Sequence, residues 1–529
     1  MALFKMLRSE LRIDELGALP NRLRGPVPLD NRPLAAADPR AWEDERLSAP
    51  AAPWSLTAER VVDAYRRKAI TPTELVTRVL AAARAFEARR PSLGPFCDYA
   101  DEGALREAAA ATARWQRGAP ATDLDGLPYA VKEETAVCGL PLRAGAAFLP
   151  TTPCEKDATI VDRIHARGGV VVGLTSMTEF GMTPTGVNPK RLMPRNPHAV
   201  DRLAGGSSTG SAVAVATGLV PFALGGDGGG SIRIPASLTG IFGIKPTWGR
   251  LSRAGDFFGG TVAHVGPLAS STLDLARVLE MASGHDPADP ETAWAPERTP
   301  GSFYRALGRG VRGVRIGVVD TEWADATDPV SRAGREALRA LEAEGAKLVP
   351  LRSELLQYAA AIGYVTISVE ARAGLRAYWE ENRDEMTEDL QVSFASLDAI
   401  GAVEYLETTR LRVGLRHEAR ALFGEVDVLA LPTVRGVAAP VSDDDMATGF
   451  LDAKVIDDLC RFTFLANLTG LPAASAPVGR DVSGLPIGLQ IVGDAWDEAS
   501  VLAVVAHLER IGAARVERPE GSVDLLDGV

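Results

Sequence analysis

The chain has 529 residues, 46% of them hydrophobic and 24% charged, with a formal net charge of −12. That composition suits a protein with a large buried core, as one big domain or two. The negative balance argues against an independent nucleic-acid binder, and no apolar run reaches the roughly 18 residues needed to span a membrane.

Residues 1–54 are rich in Pro, Arg and Asp with no sustained period. They read as an extension draped on the body, covering an entrance or mediating self-association. Met1 to Arg8 lack the apolar core and cleavage site of a signal peptide, so the cytoplasm is the expected compartment. Leu56, Val61, Val62 and Tyr65 suit an amphipathic helix capped at Ser55 or Thr57. Thr71-Pro72-Thr73-Glu74 opens a second helix, because Pro is tolerated in a first turn. A third is expected from about Glu102 to Gly118.

Asp125 to Glu133 reads as a turn and a short strand ending at Lys132. A capped helix is expected over Asp157 to Arg167, then a buried strand of the parallel type, Val170 to Gly173. Val311 to Val319 reads as a strand and Ser331 to Glu344 as a helix. Residues 350–425 are mostly helical. A strand and turn from Val426 to Thr433, a strand from Gly484 to Gly493 and a helix from Glu498 to Leu508 close the chain. Strands alternating with helices imply an α/β fold, with helices on the faces of a sheet.

Between Leu203 and Thr247 two glycine-serine clusters stand out: Gly205 to Ser211 and Gly228 to Ser231. They bracket a short helix, Ala212 to Ala216, and an apolar strand, Val220 to Leu224. A linker would not alternate with such segments. Consecutive glycines let a backbone approach a ligand closely, and a row of free N–H groups before a helix can cradle an oxyanion.

This stretch resembles the signature of the amidase signature family. Gly205-Gly206-Ser207-Ser208-Thr209-Gly210-Ser211 matches its first part, Asp227 to Ala236 its second, and Gly240 to Thr247 its close. Thr209, Gly226 (where Thr or Ser is common) and Gly228 depart from the usual pattern without removing a hydroxyl that the family's mechanism needs. Gly126-Leu127-Pro128-Tyr129-Ala130-Val131-Lys132 is similar to the motif that carries the family's catalytic lysine. The match covers roughly residues 55–280 and 425–510. It implies a large mixed, mostly parallel-containing twisted sheet covered by helices on both faces. It further implies one amidase domain over 55–515, with its core at 120–280 and 425–510. A variable substrate-shaping region at 300–425 and a tail at 516–529 complete the division.

The resemblance implies Ser231 as nucleophile, Ser207 as a bridging hydroxyl after a cis peptide bond, and Lys132 as base. The N–H groups of Gly228, Gly229, Gly230 and Ser231 are the oxyanion-hole candidates. Ser208 and Arg233 brace the loops, and Asp227 anchors the glycine turn. The alternative for Ser207 is a helix cap, with Ser208 or Thr209 able to take that place instead. A lysine acts as a base only when neutral, which calls for burial away from anions. Glu133 and Glu134 follow Lys132 directly, and on a strand Glu133 points to the opposite face. A carboxylate paired with Lys132 would keep it charged.

The expected activity is hydrolysis of a small, uncharged aryl or alkyl amide through a seryl acyl-enzyme. The substrate is a small molecule, with neither nucleic acid nor membrane as partner, and the protein is a monomer or homodimer. Cys97, Cys138, Cys154 and Cys460 fit no zinc pattern and the six histidines are scattered, so no metal or cofactor is expected. Esters or carbamates are alternative substrates. A second alternative is the A subunit of a tRNA-dependent amidotransferase, although Ile234 stands where that subunit typically has Gln. A third is an α/β-hydrolase elbow with Ser208 as nucleophile, Asp427 and His507.

Overall fold

Short apolar runs make the strands of one sheet. They are β1 (Phe96–Tyr99), β2 (Pro128–Lys132), β3 (Val170–Thr175), β4 (Phe222–Asp227), β5 (Phe242–Lys245) and β6 (His264–Ala269), followed by β7 (Arg315–Val319), β8 (Lys347–Leu351), β9 (Val428–Pro432), β10 (Ala473–Arg480) and β11 (Pro486–Gly493). The computed structural model describes residues 6, 8–25, 29–35, 54–122, 124–257 and 259–529. The eleven strands are ordered β1-β3-β2-β4-β6-β5-β10-β11-β9-β7-β8. Parallel pairs join β2 to β3 and β4, and β7 to β8 and β9. The middle of the sheet, from β4 across to β9, is antiparallel. The large mixed sheet is thus the one expected, although among the described residues its pairings are mostly antiparallel, six against four parallel.

Both faces are covered. On β9, Val428 and Ala430 belong to one apolar core while Leu429 and Leu431 belong to another. Successive strand residues point to opposite faces, so these are two cores on two sides of one sheet. The first includes residues of the helices Ala58–Arg66, Pro72–Glu87, Thr272–Ala282 and Glu498–Arg510. The second is built with Ala359–Gly374, Ala402–Phe423 and Phe464–Thr469.

The caps of the first two helices follow the local signals. Thr57 accepts from the N–H of Arg60, and Thr71 and Glu74 form a capping box ahead of Pro72. The helix expected over Asp157 to Arg167 is shorter, Thr159–His165, and has no side-chain cap. Asp157 is drawn away: its carboxylate accepts the N–H of Cys138 and pairs with His165 Nδ1, each at 2.7 Å. The strand expected from Val311 begins only at Arg315.

Residues 1–5, 7, 26–28 and 36–53 of the extension lie outside the described residues. Its described part rests on the helical region. Leu11, Ile13 and Leu16 join the second core, and Gly25 N–H donates to Arg410 O at 2.8 Å. At the other end Val523 N–H donates to Thr217 O at 2.9 Å, and Leu525 and Leu526 are buried. Among the described residues no helix is long and apolar enough to cross a membrane.

Candidate active site

β2 and β4 are parallel neighbours, with Ala130 opposite Ala223 and Val131 opposite Leu224. Both therefore end at the same edge of the sheet, where open α/β folds commonly place their ligands. β2 delivers Lys132 to that edge. β4 delivers Asp227 and the turn Gly228 to Ser231. A third arm, Gly205 to Ser208, leads into the helix Thr209–Ala216.

Lys132 and Ser207 are buried, and Lys132 Nζ donates to Ser207 Oγ at 2.8 Å. The same Nζ reaches the carbonyl of Gly226 at 3.5 Å. The Gly206–Ser207 peptide is cis. Ser208 ties the two serine loops: its N–H donates to Ser231 O at 3.2 Å and its hydroxyl to Gly226 O at 3.1 Å. It sits at the N-cap position of the following helix without capping it, because that hydroxyl is already committed to Gly226. Thr209 is the first helical residue and its hydroxyl provides no cap either.

The glycine turn is held from below. Asp227 Oδ1 accepts the N–H of Gly230 at 2.7 Å, and Oδ2 that of Ile232 at 3.2 Å. The N–H of Gly230 is therefore spent inside the loop, whereas Gly228 and Gly229 carry no such bond to Asp227. Gly230 has φ 124°, and a Cβ there would lie 2.5 Å from Thr463 Oγ1, so only glycine fits. Arg233, fully buried, donates to both oxygens of Asp227 and to Thr463 O at 2.8 Å. Asn467 Nδ2 donates to Asp227 O at 2.8 Å. Burial alone would push the Asp227 carboxyl up. The charge and hydrogen bonds of Arg233, with Asn467, outweigh it and hold the carboxyl well below the usual carboxylate range. Thr463 and Asn467 come from the segment around the helix Phe464–Thr469, some 230 residues away in sequence.

Lys132, Ser207 and Ser231 line one cavity of about 350 Å³. One wall is aromatic. The rings of Phe180, Phe257 and Tyr378 lie nearly parallel, with centroids 5.7 to 6.1 Å apart. Met182, Ile367 and Leu375 extend this apolar surface. These rings come from three separate regions of the chain.

The same cavity holds carboxyl groups that no sequence motif places there. Asp256 accepts a hydrogen bond from Thr135 Oγ1 at 2.7 Å. Desolvation pushes its carboxyl up to about 8, the Thr135 bond opposes that, and the Glu134 charge adds to it. The expected anion-free surroundings of Lys132 are not found. Glu134 Oε1 lies 2.9 Å from Lys132 Nζ. The reason is the turn that ends β2: Thr135 N–H donates to Lys132 O at 3.0 Å, and this reversal brings Glu134 back beside the lysine. Glu133 points away, as expected, and pairs with Arg191 at 3.2 Å.

Two other arrangements can be compared. Asp427 is bound to Arg315, accepting its backbone N–H at 2.7 Å, and His507 lies beside Arg510 and Glu344. Neither lines the cavity with the serines, so the α/β-hydrolase arrangement around Ser208 is not assembled. Cys97, Asp98 and Glu133 bring potential metal ligands together. Arg143 and Arg191 already pair with the two carboxylates, and burial pushes the Cys97 thiol well up. That chemistry does not suit a cation.

A family model described as Amidase matches residues 77–502. The chain is 34% identical over 474 residues to a fatty acid amide hydrolase of Arabidopsis thaliana, covering 88% of this chain and 77% of that one. It is 34% identical over 497 residues to the A subunit of the glutamyl-tRNA(Gln) amidotransferase of Chloroflexus aggregans, covering 88% and 98%. A solved bacterial aryl acylamidase of the amidase signature family superposes with a TM-score of 0.76 at 26% identity, covering 90% of this chain and 100% of that one. Sheet order, serine loops and these likenesses agree: the chain belongs to the amidase signature family and is a hydrolase of amides.

Proposed function

We propose that this chain hydrolyses the C–N bond of a small, uncharged aryl or alkyl carboxylic amide through a seryl acyl-enzyme, with Ser231, Ser207 and Lys132 as its catalytic residues. The observation that carries this reading is the 2.8 Å contact of Lys132 Nζ with Ser207 Oγ in a cavity whose wall includes Ser231. A serine hydroxyl is a poor nucleophile until a base takes its proton. Ser231 Oγ attacks the amide carbonyl while its proton passes through Ser207 toward Lys132. The N–H groups of Gly228, Gly229 and Ser231 receive the developing oxyanion, each such donor being worth about 3 kcal/mol in the transition state. Gly230 serves the loop's turn instead. The proton then returns to the departing amine, the C–N bond breaks, and water hydrolyses the acyl-enzyme.

The aromatic wall supports an aryl or alkyl group as the recognised moiety. A screen of anilides, aliphatic amides and peptide amides against the purified chain tests this. Turnover of anilides or alkyl amides, abolished in Ser231→Ala, is the expected result. Turnover confined to charged amides would overturn the substrate reading. The likeness to an amidotransferase component favours a second reading, in which glutamine is the amide. Ile234 speaks against it, and activity of the isolated chain on simple amides separates the two. On this reading the enzyme works in the cytoplasm as a monomer or homodimer.

A further inference from the structure

Gly226 has no side chain at the one place where a side chain would collide with Glu134. A Cβ at Gly226 would lie 1.8 Å from Glu134 Oε1. Gly226 is not among the glycines with positive φ, so its backbone does not call for glycine. The space does. That space admits a carboxylate to within 2.9 Å of Lys132 Nζ, in a setting where Lys132 and Glu134 are 1% and 7% exposed. The motif departure at Gly226 and the acidic residue at Glu134 are thus one feature.

A buried ammonium needs a partner, since an isolated buried charge is strongly unfavourable. A base needs a free lone pair. A carboxylate can meet both demands, because it can take the ammonium's proton and leave a pair with no net charge. A carboxamide in the same place can hydrogen-bond but cannot take the proton.

We infer that Glu134 is a positioning residue that acts through Lys132, holding the proton that Lys132 must shed before it can serve Ser207. This rests on the role proposed above for Lys132. One N–H bond breaks at Nζ and one O–H bond forms at a Glu134 oxygen, so protons and charge balance within the pair. Nζ then accepts the Ser207 proton as Ser207 takes that of Ser231 and the bond from Ser231 Oγ to the carbonyl carbon forms. On collapse, the same proton travels back through Ser207 to the leaving nitrogen.

Other ionisable groups face this pair. Asp256 and Arg253 lie on the loop before β6, and Glu370 lies across the cavity. Asp227 is next to Gly226 but is committed to Arg233. His264, opposite Asp227 in β6, is kept neutral by burial, with the charge of Lys245 acting in the same direction. Asp256→Asn serves as the control for Asp256, which interacts with the charges of both Glu134 and Lys132.

The test is the pH profile of kcat/KM for wild type, Glu134→Gln, Gly226→Ala and the double variant. When the pair shares a proton, the lysine need not lose it to solvent before catalysis. Glu134→Gln must instead release the lysine proton to solvent. Its acid limb is expected to move up by about one pH unit or more, a loss of about tenfold at a fixed pH on that limb. Gly226→Ala, which expels the carboxylate, is expected to show the same shift, and the double variant no further one. A limb that stays put, or moves down because Glu134 merely keeps Lys132 charged, overturns the inference. Stoichiometric labelling of Ser231 by an alkyl fluorophosphonate is read in every variant. Labelling with an unmoved limb sinks this inference alone, whereas labelling elsewhere in wild type sinks the proposed function.

Discussion

Arg233 grips Asp227 at two points, Nε to Oδ2 at 3.0 Å and Nη2 to Oδ1 at 2.9 Å, with neither side chain exposed. The grip fixes the turn that carries Ser231, since the same carboxylate accepts the N–H of Gly230. Breaking a buried pair by removing one partner leaves an uncompensated charge and costs about 3–5 kcal/mol. Arg233→Ala is therefore expected to lower the denaturant midpoint sharply and to abolish turnover. The sign with pH follows from the depressed carboxyl. Its stabilisation is complete above the usual carboxylate range and is lost as pH falls through the lower value of the folded state. Asp227→Asn should remove that acid-side dependence, which equilibrium unfolding followed from about pH 6 down to about pH 2 would reveal.

Replacing Ser231 or Lys132 with alanine should reduce kcat by at least about 10⁴-fold, as losses of catalytic-unit residues commonly do. Ser207→Ala should cost about 100-fold or more. Circular dichroism and thermal melting would check that each variant folds. Full activity in a folded Lys132→Ala variant would remove lysine from the mechanism.

Tyr378 lies on the short helix Arg376–Asn382 and stacks with Phe180 at 5.9 Å and Phe257 at 6.1 Å. It is only half-buried, so the fold does not hinge on it. Tyr378→Ala should raise KM for an anilide about tenfold, with kcat little changed, because lost apolar contact in a pocket is worth about 1–3 kcal/mol. KM for a short aliphatic amide should move less. Equal effects on both would show that the aromatic wall does not select the substrate.

Desolvation raises the Asp256 carboxyl to about 8. A raised acid contributes stability that is complete below its unfolded value and fades as pH climbs through the folded one. Between pH 4 and 8, wild-type stability should therefore fall relative to that of Asp256→Asn. The difference in urea midpoint between the two, followed across that range, checks the sign. A difference that stayed constant would place the ionisation of Asp256 outside folding.

Local signals locate many elements. Thr71, Pro72 and Glu74 announce a helix start because capping needs only neighbouring atoms. β2 ends at Lys132 as its apolar run suggests. β1, β5, β6, β8 and β10 are strands that local pattern does not announce. β6, β8 and β10 carry Pro within them, and β1 and β5 are only four residues long, so neither length nor alternation marks them. Asp157 has the residue type of a cap, but a distant backbone N–H and a histidine claim its carboxylate.

The chain's own order of residues was enough to establish its family and to single out Lys132, Ser207 and Ser231. Hydroxyls, an amine and glycines at set intervals are local chemistry, legible without coordinates. Tertiary structure alone decided what else surrounds them: Asn467 and Thr463 beneath the glycine turn, and three rings gathered into one wall. The physical reason is that such contacts depend on strand order and register, which bring together side chains far apart in sequence. No short-range pattern encodes that placement.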